Sequence, residues 1–111
     1  MGLPGNTSNI NIPEPDKIKT LFTRSMQNII AREVKGKAGN LKERIAKSGS
    51  NKLVNRLGIL YARYGLYDNA EKQFKRILSI PNYRDIGYIN IGNIRYKQGD
   101  FKGALEYYTP H

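Results

Sequence analysis

Apolar positions recur every three or four residues along most of the chain, which is the period of one face of an α-helix. Ile18, Leu21, Phe22, Met26, Ile29, Ile30 and Val34 form the first such set, opened by Asp16 as an N-cap after Pro13 and Pro15. Gly36 and Gly39 are expected to end this amphipathic helix, since glycine takes the left-handed conformation that closes a helix. A short helix over 40–47, with Leu41 and Ile45 on one side, is expected next, followed by a break over Ser48–Asn51. Residues 1–15, rich in Gly, Asn, Ser and Pro, read as a flexible leader, and 16–50 as the N-terminal helical segment.

From residue 51 onward the chain repeats itself at an offset of 34 residues. Leu57 falls on Ile91, Gly58 on Gly92, Gly65 on Gly99, Tyr67 on Phe101, Ala70 on Ala104 and Phe74 on Tyr108. Gly58, Ala70, Gly92 and Ala104 are small where two antiparallel helices must approach, and aromatics fill the space beside them. Gly65 and the pair Gly99-Asp100 mark short turns, which force antiparallel neighbours. Pro81 closes the first unit, because proline cannot continue a helix.

These residues resemble the tetratricopeptide repeat family. Its pattern reads here as Val54, Leu57-Gly58, Tyr61, Ala70, Phe74 and Pro81, then Tyr88, Ile91-Gly92, Ala104 and Tyr108. Val54 replaces the leading aromatic, and Arg95 stands where a further aromatic is expected, with adjacent Tyr96 a candidate to compensate. The resemblance implies an all-α chain, an α-solenoid of helix-turn-helix hairpins over 51–84 and 85–111 preceded by the amphipathic N-terminal helix. Stepping back one period from Gly58, Gly65, Ala70 and Phe74 lands on Arg24, Ala31, Gly36 and Asn40, so the upstream segment reads as a cap.

Such arrays hold extended peptides or partner helices on the face built from the first helix of each hairpin. Carried over by register, that face comprises Lys52, Asn55, Arg56, Ile59 and Arg63, then Ile89, Asn90, Asn93, Tyr96 and Lys97. Asparagine amides bond both donors and acceptors of a peptide backbone, while arginine and lysine attract carboxylates, so the surface suits an acidic or polar segment. The Lys-to-Asn spacing that grips chaperone carboxylate ends is absent, because Asn55 and Ile59, then Ile89 and Asn93, occupy the equivalent pairs.

Charge adds a rival reading. The net charge is +10, and Arg32, Lys35, Lys37, Lys42, Arg44, Lys47, Lys52 and Arg56 are opposed in their stretch only by Glu33 and Glu43. A basic stretch over 32–56 suits nucleic acid or an anionic surface as the alternative partner. Chemistry has little to work with: there are no cysteines, the one histidine is His111, and Asp68, Glu71, Asp85, Asp100 and Glu106 read as turn, cap and surface residues. No enzyme activity, metal or cofactor is expected. Nor is a signal peptide or membrane span, so the chain reads as soluble. The sequon at Asn6 sits in a polar tail and is not expected to be used. Counted by the period, the second hairpin stops short, which predicts a piece of a longer protein and a homodimer through the face of Tyr107 and Tyr108.

Overall fold

The computed structural model describes residues 14–110, so the leader up to Pro13, the Asn6 sequon and His111 lie outside the described residues. The described chain is all-helical: α1 (Pro15–Ser48), α2 (Asn51–Arg63), α3 (Tyr67–Arg76), α4 (Arg84–Lys97) and α5 (Phe101–Tyr108). It divides into two units, one ending at Ala31 and the other beginning at Arg32.

α1 corrects two expectations at its ends and one in its middle. It starts at Pro15, with Asp16 inside the first turn rather than capping it. Proline suits the first helical position because its missing N–H has no partner there in any case, and the aspartate then meets the positive end of the helix dipole. Gly36 and Gly39 do not end the helix; 34 residues run unbroken to Ser48, and the positive φ that stops it belongs to Gly49. The reason is the spacing of Val34, Ala38, Leu41 and Ile45, which continues one stripe straight through both glycines. Val34, Ala38 and Ile45 on that stripe are buried. A helix held by burial tolerates glycine at a cost of about 1 kcal/mol each.

The earlier apolar set fares differently. Ile18, Leu21, Phe22, Met26 and Ile29, the apolar positions of the expected amphipathic helix, are exposed, Phe22 at 66%.

In the unit beginning at Arg32, α2 packs on α3, and α4 on α5, as antiparallel hairpins; α4 also packs on both α2 and α3. The turns use Gly65 and Gly99 at φ +76° and +81°, a conformation that side chains with a Cβ disfavour. Caps hold the helix starts: Ser50 Oγ accepts from Leu53 N at 3.3 Å, and Asp100 Oδ1 from Gly103 N at 2.9 Å. The close approaches fall where the offset of 34 residues put them. A Cβ built on Gly58 would lie 2.5 Å from the Phe74 ring, and one on Gly92 2.5 Å from the Tyr108 ring. Ala70 and Ala104 are 0% and 2% exposed. A third close approach was not read from the sequence: a Cβ on Gly87 would meet Leu78 at 2.8 Å, which lets α4 lie against the end of α3.

Not every repeated aromatic enters the core. Phe74 is 1% exposed, whereas Phe101 is 63% exposed and meets the ring of Tyr96 edge-on at 5.2 Å between centroids. Pro81 lies among turns after α3, which already ends at Arg76.

Candidate functional site

α2 and α4 lie side by side as the first helices of their hairpins, and together with Phe74 of α3 they form an open cleft of about 280 Å³ lined by Ile59, Ala62, Arg63, Phe74, Asn90, Asn93, Ile94 and Lys97. Helical spacing places these side chains. Ile59 and Arg63 are four residues apart on α2, and Asn90, Asn93 and Lys97 follow the same three-and-four rhythm on α4. The inner wall is apolar, made by the buried Phe74 and Ile94. The rim carries two cations, Arg63 and Lys97, both exposed.

The asparagines are tied to the scaffold. Asn90 Nδ2 donates to Asn55 Oδ1 at 3.0 Å, bridging the two hairpins, and Asn93 Oδ1 accepts from the Tyr108 hydroxyl. Each amide keeps capacity beyond its bond, since Asn93 still offers two N–H donors and Asn90 one donor and its carbonyl. Amides fixed in this way lose little rotamer freedom on meeting a ligand.

Of the residues expected on this face, Ile59, Arg63, Asn90, Asn93 and Lys97 line the cleft, and Asn55 supports it through Asn90. The other four stand elsewhere. Lys52 and Arg56 are exposed outside the lining, and Tyr96 is 60% exposed against Phe101. Ile89 faces a second hollow, of about 250 Å³, with Asp85, Tyr88, Tyr107 and Tyr108. These departures follow from helix geometry, because residues 89 and 96 lie on α4 about 100° away from residues 90 and 97.

Arg95 and Glu71 correct the reading more deeply. Glu71 is not a surface carboxylate. Its Oε1 is enclosed and lies 2.6 Å from Arg95 Nη2, its Oε2 lies 3.1 Å from Lys75 Nζ, and its side chain is 17% exposed. Arg95 also covers the Tyr107 ring, 5.7 Å from its centroid. Burial by itself would lower the Arg95 pKa; the Glu71 carboxylate, with the Tyr107 hydroxyl, outweighs it and leaves the value raised. Arg95 thus pairs across to α3 and stacks on α5, whereas Tyr96 is exposed. Tyr107, one of the two tyrosines on the expected dimer face, is half-buried between Arg95 and Tyr88, whose ring centroid is 6.1 Å away. Leu105 and Tyr108 do remain exposed on α5, at 66% and 42%.

The basic stretch is less focused than its composition implied. All eight cations from Arg32 to Arg56 are exposed, and those on α1 spread around the whole side away from the Val34–Ile45 stripe. Two serve the scaffold. Lys37 Nζ donates to the Tyr64 hydroxyl at 3.1 Å, and that hydroxyl donates to Glu33 Oε2 at 3.2 Å; Lys42 lies over the Tyr61 ring at 6.0 Å. The Tyr64 contact, and then the Glu33 charge, raise the Lys37 pKa above the ordinary lysine value.

Among the described residues no three His, Cys, Asp or Glu side chains converge as metal ligands, and no helix is long and apolar enough to cross a membrane. Compared with known proteins, the chain matches no family model, no curated protein and no solved structure.

Proposed function

We propose that this chain is a protein-interaction module of the tetratricopeptide type, which holds an extended acidic or polar peptide segment in the cleft between α2 and α4. The observation that carries the reading is the cleft itself. Two amides anchored by Asn55 and Tyr108 and two rim cations, Arg63 and Lys97, share one cleft with an apolar wall of Phe74 and Ile94. Amides suit the backbone of an extended chain, the cations suit its carboxylates, and the wall accepts one apolar side chain. The solenoid resemblance supports the same use of this face.

Selection from a displayed random-peptide library tests it, followed by titration of the enriched peptides. Peptides carrying Asp or Glu around an apolar residue are expected to be enriched. Lys97→Glu together with Arg63→Glu is expected to weaken them by at least roughly tenfold, since each substitution replaces attraction by repulsion in the cleft. Enrichment of basic peptides, or affinities indifferent to both substitutions, would refute the assignment.

A further inference from the structure

The N-terminal half of α1 carries an apolar face that nothing in the described structure covers. Ile18, Leu21, Phe22, Met26 and Ile29 are 47%, 51%, 66%, 40% and 50% exposed. They share about 140° of the helix circumference and extend for about 17 Å along the axis. What the face would meet is indicated by the charges beside it. Going around the helix, Lys17 and Arg24 lie along one border of the apolar sector and Lys19 along the other, all exposed. Thr20, Thr23 and Gln27 occupy the opposite pole. Asp16, the one acid between Pro15 and Ala31, lies near that pole, away from the apolar face. The next acid along, Glu33, accepts from the Tyr64 hydroxyl.

Cations at both borders, neutral polar groups at the far side and Ile18 and Ile29 at the centre, flanked by Phe22 and with Ser25 the one polar residue inside the sector, suit a flat surface that is apolar beneath and anionic at its rim. Lysine and arginine at a border can lay their methylenes along the apolar layer while their charged ends reach phosphate or carboxylate groups. We propose that residues 17–29 form a membrane-surface helix, lying in the interface of an anionic lipid leaflet with Ile18, Phe22 and Ile29 among the acyl chains. A second copy of the same helix fits less well, because its borders would bring lysine and arginine against lysine and arginine. The chain's net charge of +10 adds long-range attraction to an anionic leaflet. This inference is independent of the cleft and of its ligand.

Co-sedimentation of the intact chain with phosphatidylcholine vesicles, with and without phosphatidylserine, tests it at moderate salt. Binding to the anionic vesicles alone is expected. Phe22→Ser should lower it by roughly tenfold or more, and Lys17→Gln, Lys19→Gln and Arg24→Gln together should do the same. Because Phe22 is two-thirds exposed, Phe22→Ser should leave thermal unfolding unchanged, which separates lost binding from lost folding. Three results would each overturn the proposal. The chain could fail to bind anionic vesicles. Binding could survive Phe22→Ser, which would assign adhesion to the basic stretch over 32–56. Sedimentation without lipid could show a dimer that Phe22→Ser dissolves, which would give the face to a second copy.

Discussion

Four helical glycines offer a test of opposite signs from one chemical change. Adding a single methyl to a helix-interior glycine gains about 0.8–1 kcal/mol by restricting the unfolded chain, provided the methyl fits. At Gly36 and Gly39 nothing lies within 4 Å of the new Cβ, so each substitution to alanine is expected to stabilise by about that amount. At Gly58 the Cβ would sit 2.5 Å from Phe74 Cε1 and 2.8 Å from two further ring atoms. Ordinary carbon contacts are about 3.5–4 Å, so the ring would have to retreat by about 1 Å. Phe74 is 1% exposed and has nowhere to go, which puts overpacking at the upper part of the usual 1–3 kcal/mol. The net for Gly58→Ala is then a loss of about 1–2 kcal/mol. Gly92→Ala faces the same distance from Tyr108, but that ring is 42% exposed and can swing outward at the cost of its bond to Asn93. Its net effect should be near zero. Urea and thermal unfolding followed by circular dichroism would read the order, and Gly36→Ala and Gly58→Ala should differ by on the order of 10 °C in midpoint for a chain this size. If Gly58→Ala proved as stable as Gly36→Ala, the packing of α2 on α3 described above would be wrong.

Ala70→Leu and Ala104→Leu should each destabilise by about 1–3 kcal/mol in the same unfolding assay, Ala70 the more because Phe74 and Ile77 beside it are fully enclosed. For Glu71 and Arg95, a double-mutant cycle to alanine should show a coupling of about 1–2 kcal/mol, well above an exposed ion pair, because both groups are mostly buried; additive losses would deny that the pair joins α3 to α4. Asn55→Ala should leave the fold intact yet weaken peptides bound in the cleft several-fold, since Asn90 loses the partner that holds its amide; unchanged affinity in a titration would count against pre-organisation there.

Helix type, the hairpin turns and the tightest contacts were legible in the sequence because each depends on local chemistry repeated at one offset. Positive φ at Gly65 and Gly99 and the meetings of Gly58 with Phe74 and Gly92 with Tyr108 all follow from where small and aromatic residues recur. The cleft was legible to the same depth: register identified Ile59, Arg63, Asn90, Asn93 and Lys97 together, but also admitted Ile89 and Tyr96, which sit next to lining positions and point elsewhere. Tertiary structure alone decided the rest. Glycine is a stop signal only when burial does not hold the helix, so Gly36 and Gly39 lie inside α1 while Gly49 ends it. The partners of Arg95 are set by which side chains α3 and α5 bring within reach, and neither Glu71 nor Tyr107 is marked in the sequence as its partner. Periodicity likewise reports that a face is apolar without saying what covers it. Val34, Ala38 and Ile45 are buried while Phe22 and its neighbours are exposed, because burial depends on which elements come to lie against a face, and the spacing of apolar residues does not encode that.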